Sequence, residues 1–277
     1  MNGYISKIES NSTNDGPGLR TTVYAVGCPL NCLWCTTPEL IGGAAKFLYH
    51  PKRCVGCGSC VTHLGGGVDC YYDAYEQTGE IITVKDLVTR LRQDKSIYEQ
   101  SGGGVTFSGG DPCMQADFFY KVAEHLVDSN IHIALDTAGF YPWEKLAPLV
   151  AAADLVIYDI KMLNYTLHRR YTGVDNHLIL DNALRIADMG IEMTIRLILI
   201  PGVNDTESEI SGRLMFAKNL GKNINVEIIK YRKLGTGKYA SLGTIELMTG
   251  TPECDDELLA HAMKVANSMG IKATIGG

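Results

Sequence analysis

The sequence lacks a long apolar run and an excess of positive charge. Its densest apolar stretch, "IRLILIPG", has the length of one strand, so we expect no membrane span, which needs about 20 apolar residues. The polar amino-terminal segment has no apolar core of the secretory type, and we therefore expect a cytoplasmic protein. The formal net charge is −6, which disfavours a nucleic-acid partner because phosphate binders usually present a basic surface.

The alternation of apolar and amphipathic stretches predicts the fold class. Runs rich in strand formers, such as "GVTFSGG" (104–110), are followed by stretches with helical periodicity. Thr206 and Glu209 have the spacing of a capping box at the start of one such helix. Repeated strand-then-helix units favour an α/β protein whose parallel sheet is covered by helices. An open or closed barrel fits the 277 residues, and a doubly wound sheet is the alternative.

Polar residues recur where the predicted strands end. Charged side chains in apolar strands cost free energy unless they are used, and ligands of such sheets bind at the carboxyl ends of the strands. We therefore expect one site built from strand ends. Its candidate residues are Cys28, Gly109, Gly110, Asp111, Asp136, Asp159, Lys161, Arg196, Tyr231 and Arg232.

Three of the nine cysteines lie in the nine-residue segment "GCPLNCLWC", with spacing C-x3-C-x2-C. Without a secretory signal, a disulfide framework is not expected, so clustered thiols indicate a metal centre. A structural zinc site needs four ligands, usually as two close pairs, and this segment offers neither. Three cysteines suit an iron–sulfur cubane with one iron left open. The predicted ligands of this reactive cluster are Cys28, Cys32 and Cys35.

A second cysteine-rich segment interrupts the strand–helix rhythm at residues 50–80. It is rich in glycine and shows no periodicity, which predicts a small inserted ferredoxin-like lobe held together by metal. The run "CVGCGSC" within it is typical of an iron–sulfur ligand set. We expect one auxiliary [4Fe-4S] cluster, with zinc on the same residues as the alternative. The predicted ligands are Cys54, Cys57, Cys60 and Cys70, with Cys113 as another candidate for the fourth.

The three-cysteine spacing resembles the signature of the radical S-adenosylmethionine (SAM) enzymes. Further strings resemble, in order, the glycyl radical enzyme activating enzymes of that group, and they cover most of the chain. The resemblance implies a partial (β/α)6 barrel of the radical SAM type over residues 1–277, interrupted only by the insert. The strings are "DGPGLR" (15–20), "SGGGVTFSGGDP" (101–112), "LDTAGF" (135–140), "YDIK" (158–161) and "IRLILIPGVND" (195–205).

The resemblance also implies the chemistry. SAM would bind the open iron of the first cluster, and one electron would cleave its sulfonium to give a 5′-deoxyadenosyl radical. That radical would remove a hydrogen atom from a glycine Cα of a partner glycyl radical enzyme. The resemblance further implies flavodoxin or ferredoxin as the electron donor, and we expect a monomer when no partner is bound. The alternatives are a radical SAM enzyme acting on a small molecule and a non-catalytic iron–sulfur electron carrier.

Individual site residues follow from the resemblance. It implies SAM contacts from Trp34, Cys35, Thr36, Gly109, Gly110, Asp111, Asp159, Ile160, Lys161, Arg196 and Arg232. It also implies a monovalent cation on Asp136, Thr137 and Asp159. Two positions depart from the family: Asp111 stands where glutamate is commoner, and Arg232 replaces a histidine on the adenine side. Residues 15–20 would contact the partner's glycine loop, or else only form the turn before the first strand.

Overall fold

A computed structural model of the protein describes residues 1–58 and 70–276. Within these ranges eleven strands are found, and their bounds are β1 (Asn2–Ser12), β2 (Arg20–Ala25), β3 (Phe47–Tyr49), β4 (Tyr75–Gln77), β5 (Glu80–Thr83), β6 (Gly104–Gly109), β7 (Ile133–Thr137), β8 (Leu155–Asp159), β9 (Glu192–Leu199), β10 (Ile224–Lys230) and β11 (Ala273–Gly276). The helices are α1 (Val84–Arg92), α2 (Lys95–Ser101), α3 (Ala116–Val127), α4 (Trp143–Ala151), α5 (Tyr165–Thr172), α6 (His177–Asp188), α7 (Glu207–Asn219), α8 (Thr236–Ser241) and α9 (Asp256–Ser268).

Nine strands form one sheet in the order β11-β10-β9-β8-β7-β6-β2-β1-β5. Seven neighbouring strands, from β2 through β6 to β11, run parallel, and β1 and β5 extend the sheet antiparallel to their neighbours. This arrangement confirms the predicted α/β class with a parallel sheet. The antiparallel pair at one edge was not predicted, because β1 has little apolar periodicity and its pairing with β5 links distant parts of the chain.

The sheet curves so that its two faces have different surroundings. The outer face packs against the helices in one large apolar core, whereas Ala134, Leu155 and Ile157 form a separate small cluster on the inner face. Arg196, on β9, donates a hydrogen bond of 2.6 Å to the carbonyl oxygen of Asn14, which precedes β2. Three strands separate β9 from β2 in the sheet, so this contact spans the concave side. The two edge strands, β11 and β5, do not pair with each other within the described residues.

Of the cysteine-rich insert, the structure describes residues 50–58 and 70–80. Phe47–Tyr49 and Tyr75–Gln77 pair as an antiparallel two-stranded sheet, preceding and following the insert's cysteines. Cys60 lies outside the described residues. The boundaries of the inserted lobe therefore stay a prediction. In the described part of the chain, no helix is long and apolar enough to cross a membrane.

A buried arginine connects α7 to the ends of β8 and β9. The side chain of Arg213 is fully buried and donates to the carbonyl oxygens of Ile198 (2.9 Å) and Asn204 (2.8 Å). Asn204, also fully buried, donates to the carbonyl oxygen of Lys161 at 2.9 Å. These bonds satisfy carbonyl groups that the strands leave unpaired where they end. They therefore fix the backbone of Lys161, the last residue of the "YDIK" string.

Replacing Arg213 with methionine should lower the free energy of unfolding by about 3–5 kcal/mol, because buried carbonyl acceptors lose their donors. Urea denaturation would measure this loss. Arg169→Met, on the exposed face of α5, is the control and should change the free energy by less than about 0.5 kcal/mol. Equal unfolding midpoints for the two variants would contradict the assigned role of Arg213.

Candidate active site

A cavity of about 340 Å³ opens at the carboxyl ends of the parallel strands. The loop after β2 and the ends of β6 to β10 form its wall, as expected for a parallel sheet. The structure thereby brings most of the predicted site residues together. Those lining the cavity are Cys28, Cys32, Trp34, Cys35, Thr36, Gly109, Gly110, Asp136, Thr137, Asp159, Lys161, Arg196, Tyr231 and Arg232. Asp111 and Ile160 are buried beside the cavity and do not line it.

The loop that carries the three cysteines is held by backbone hydrogen bonds on two sides. At its start, Cys28 and Gly42 exchange backbone bonds of 3.2 and 3.1 Å. Further along, the amide of Asn31 donates to the carbonyl oxygen of Thr172 at 2.7 Å, at the last turn of α5. These bonds satisfy backbone groups that no regular strand or helix could pair. The cysteines are therefore presented by a fixed backbone.

The three cysteines line one cavity, as the ligands of a single iron–sulfur cluster must. In the described residues, no group of three or more histidine, cysteine or acidic side chains is placed to share one ion. A cubane does not need such a group, because each thiolate binds a different iron. Burial raises the pKa of the Cys32 thiol to about 12 and raises the pKa of Cys28 as well. Such thiols become thiolates when iron takes the place of the proton.

Arg196 is the centre of a buried charge network on the inner face. Its guanidinium donates to Glu227 at 2.6 Å and to Asp136 at 3.4 Å. Asp136 also accepts a hydrogen bond of 2.8 Å from Ser108. Burial raises the pKa of Asp136 to about 6, although the positive charge of Arg196 opposes that shift. Burial lowers the pKa of Arg196, but the charges of Asp136 and Glu227 outweigh it, so the net pKa is raised and the cation persists.

A second ion pair faces the cysteines. The ammonium group of Lys161 lies 2.9 Å from a carboxylate oxygen of Asp159. Burial would lower the pKa of Lys161, but the negative charge of Asp159 more than compensates, and the net pKa is raised. Burial raises the pKa of Cys32, and the charge of Lys161, which lines the same cavity, partly opposes that rise. The site thus offers a fixed cation beside thiols that would lose their protons on binding iron.

The two cavity glycines are required by the protein's own packing. A Cβ on Gly109 would lie 2.3 Å from the amide nitrogen of Ala25 on β2. A Cβ on Gly110 would lie 2.2 Å from the carbonyl oxygen of Gly27, at the start of the cysteine loop. A side chain at either position would therefore push strand β6 away from β2 and the cysteine loop. Contacts of these glycines with SAM stay a prediction.

Asp111 is buried beside the cavity and bonded to residues near the end of β7. Its carboxylate accepts hydrogen bonds from the hydroxyl of Thr137 at 2.9 Å and from the amides of Cys113 and Ala138 at 3.0 Å. Burial raises its pKa. These three donors satisfy both carboxylate oxygens and tie the end of β6 to the end of β7. The expected contact of Asp111 with the SAM amino group stays a prediction.

Sequence reasoning missed Glu227, the acidic partner of Arg196. Its signal was present, because Glu227 interrupts the apolar strand "INVEIIK" just as Arg196 interrupts the neighbouring strand. The two residues are directly paired in the register of β9 and β10. A charged residue within each of two adjacent parallel strands was therefore sufficient to predict an ion pair.

Among the predicted ligands of the auxiliary cluster, Cys54 and Cys57 are exposed and Cys70 is half-buried. The pKa of Cys54 is lowered, first by a hydrogen bond involving Tyr49, which favours its thiolate form. Cys113 differs from these residues, because it is buried in the barrel with its sulfur 3.1 Å from the Thr137 hydroxyl. Exposure therefore favours Cys70 over Cys113 as the fourth ligand.

Comparison with known proteins identifies the class. Residues 22–213 match the model of the radical SAM superfamily. A domain of a pyruvate-formate lyase-activating enzyme from Bacteroides vulgatus superposes with a TM-score of 0.54, at 27% identity over 63% of this chain and 99% of that chain. A radical SAM methyltransferase from Sphaerobacter thermophilus shares the fold with a TM-score of 0.59 at 14% identity, over 98% of this chain and 76% of that chain. The chain belongs to the radical SAM superfamily.

Curated relatives narrow the class further. The trans-4-hydroxy-L-proline dehydratase activating enzyme of Clostridioides difficile is 35% identical over 86% of this chain and 87% of that protein. The pyruvate formate-lyase 2-activating enzyme of Escherichia coli is 30% identical over 99% of this chain and 92% of that protein. Within the superfamily, the chain thus groups with the activating enzymes of glycyl radical enzymes. This confirms the resemblance inferred from the sequence strings.

Glu227→Gln should raise the dissociation constant for SAM by about tenfold. The substitution keeps the size of the side chain but removes the charge that holds Arg196, and a charge-assisted hydrogen bond contributes about 1.5–3 kcal/mol. Equilibrium binding of SAM to the anaerobic, cluster-loaded protein would measure the change. The matched control is Glu80→Gln on exposed β5, and identical SAM affinities of the two variants would show that Arg196 does not depend on Glu227.

Proposed function

We propose that the protein activates a glycyl radical enzyme by using SAM bound at a [4Fe-4S] cluster to generate the radical on a glycine Cα. The observation that carries this proposal is the meeting of three cysteines with a set of paired buried charges in one cavity. The activating-enzyme names of the relatives support the same function. A non-catalytic electron carrier would have no use for the charged wall opposite the cysteines.

Cys28, Cys32 and Cys35 would hold the cluster, and their shared cavity and separate sulfurs fit it. When bound, the cluster supplies the electron that cleaves the SAM sulfonium and releases the 5′-deoxyadenosyl radical. The chain's own residues hold and shield the reactants. The largely buried wall of the cavity excludes water, which protects a reactive radical from side reactions.

The charged residues at the strand ends would orient SAM. Lys161 and Arg196 are cations that persist in the buried wall and suit the methionine carboxylate or a ribose oxygen. Trp34 is 7% exposed and lines the cavity, where its ring suits stacking on an apolar part of the cofactor. Arg232 is exposed at the cavity mouth and suits stacking on adenine.

We also assign a monovalent cation to the acidic side of the cavity. Asp136, Thr137 and Asp159 line the cavity, and oxygen ligands suit hard cations. The Thr137 hydroxyl donates to Asp111 and accepts from the amide of Gly139, so the cation would bind its remaining oxygen lone pair. A bound cation would offset the negative charge that Asp136 and Asp159 bring together under burial.

The partner's glycine would enter through the open side of the sheet, where β11 and β5 do not pair within the described chain. The "DGPGLR" loop, residues 15–20, lies on this concave side. Asp15 anchors the loop by accepting hydrogen bonds of 2.7 Å from Ser12 and Thr22, while Pro17 and Gly18 are exposed. An anchored loop with an exposed tip suits contact with the partner's glycine segment.

We further propose flavodoxin or ferredoxin as the electron donor, a monomer without its partner, and a cytoplasmic location.

Cys32→Ala should abolish radical formation, because it removes one of the three cluster ligands. The assay mixes the reduced protein, SAM and a candidate glycyl radical enzyme without oxygen and records the glycyl doublet by electron paramagnetic resonance. Cys254→Ala is the matched control, since its sulfur only approaches the carbonyl oxygen of Asp255, and it should retain the doublet. A doublet that persists in Cys32→Ala would refute the proposed cluster site.

Iron analysis tests the auxiliary cluster. The anaerobically reconstituted protein should bind about eight irons, and Cys54→Ala should bind about four, since one [4Fe-4S] cluster is lost. Cys113→Ala should keep about eight, because Cys113 is assigned to the barrel core and not to this cluster. About four irons and one zinc in the unchanged protein would instead identify a zinc site in the insert.

A further inference from the structure

The short helix α8 lies directly against the loop that carries the third cluster cysteine. The Tyr239 hydroxyl donates a hydrogen bond of 3.2 Å to the carbonyl oxygen of Cys35 and lies 3.5 Å from that of Leu33. The bond therefore links α8 to the backbone of a ligand residue.

Gly235, which precedes α8, makes the closest approach to the same loop. A Cβ at this position would lie 2.6 Å from the carbonyl oxygen of Cys35 and 3.2 Å from the Cα of Thr36. The backbone of Gly235 has φ −90°, which any residue adopts. Glycine is therefore required here because there is no room for a side chain, and not because of the backbone conformation. The neighbouring atoms belong to the backbone and cannot rotate out of the way.

An ion pair adds a second link between α8 and the segment that follows the cysteine loop. Lys238 lies 2.5 Å from a carboxylate oxygen of Glu39, whose side chain is only 9% exposed. Glu39 belongs to the short 3-10 helix Pro38–Leu40, immediately after the loop. A buried carboxylate needs its cation, so this pair holds α8 in place over the loop.

The segment leading into α8 also lines the cavity. Tyr231, Arg232 and Leu234 follow β10 and contribute to the cavity wall. The chain then turns at Gly235 and continues as α8 across the cysteine loop. One continuous segment thus contacts both the space assigned to SAM and the backbone of Cys35.

We propose that α8 holds Cys35, the third predicted cluster ligand, in position relative to SAM. Tyr239 and Gly235 are the positioning residues. The inference rests on the proposed function, since it assumes that the cluster and SAM occupy the cavity. Neither residue supplies a cluster ligand. Their effect passes through the carbonyl group and backbone position of Cys35, so changing them should alter the environment of the cluster while all three thiolates remain.

Two glycines of the same segment provide a matched steric test. Gly235→Ala should shift the Cys35 backbone, change the electron paramagnetic resonance spectrum of the reduced cluster with SAM, and weaken SAM binding about three- to tenfold. Gly237→Ala lies two residues further along, where a Cβ would meet no atom within 4 Å, and should leave the spectrum and the affinity unchanged. The two variants differ only in where the methyl group falls.

Tyr239→Phe tests the hydrogen bond without steric change. It should keep the full iron content, alter the spectrum of the reduced cluster with SAM and weaken SAM binding about three- to tenfold. Tyr165→Phe, at an exposed position on α5, is the control. Circular dichroism establishes that each variant is folded, and if Gly235→Ala does not fold, Tyr239→Phe decides alone. Loss of iron from a folded Tyr239→Phe variant would contradict the proposal, because Tyr239 would then retain the cluster and not only position Cys35.

Measurements on the unchanged protein distinguish a failure of the α8 proposal from a failure of the proposed function. If SAM alters its cluster spectrum but Tyr239→Phe behaves like the unchanged protein in spectrum, iron content and affinity, the role of α8 is overturned and the proposed function stands. If SAM has no effect on the spectrum of the unchanged protein, both proposals fail together.

Discussion

Seven parallel strands end at one rim of the sheet, and the candidate site depends on this geometry. Residues far apart in the chain meet there only because their strands run in the same direction and neighbouring strands are in register. Arg196 and Glu227 illustrate the point, since they are paired across β9 and β10. The cysteine loop extends from the end of β2 over the same rim. A ligand in the cavity is thereby surrounded by side chains from five strand ends and one loop.

Burial of charge is the second constraint on the site. Every buried charge at the cavity has an opposite charge within contact distance, as the pairs of Lys161 with Asp159 and of Arg196 with Asp136 and Glu227 show. Such pairing keeps ionised groups stable where water is scarce. It also fixes their positions before SAM arrives. The entropy cost of ordering these side chains is therefore met during folding and not on binding. The same logic applies to the backbone, where Arg213 and Asn204 hold the carbonyl groups around Lys161.

The sequence was sufficient to predict the parts of the fold that rest on local pattern. The strand–helix repeat appears as expected. Thr206 caps the amide of Glu209, but the Glu209 side chain accepts from the amides of Leu163 and Asn164 and does not complete the predicted capping box. Three features could not be read from local pattern. Strand β1 pairs locally with β2, but its other edge pairs with β5, which is distant in the chain. The direction of Asp111 is set by donors on β7, and the contact of Tyr239 with Cys35 joins segments 204 positions apart.

The central claim is that SAM binds the open iron of a cluster held by Cys28, Cys32 and Cys35. Electron–nuclear double resonance of the reduced protein, with SAM labelled isotopically at its methionine amino and carboxylate groups, tests this claim most directly. The account predicts magnetic coupling of both labelled groups to the cluster, which requires their direct bonding to iron. A cluster spectrum without coupling to either label would contradict it.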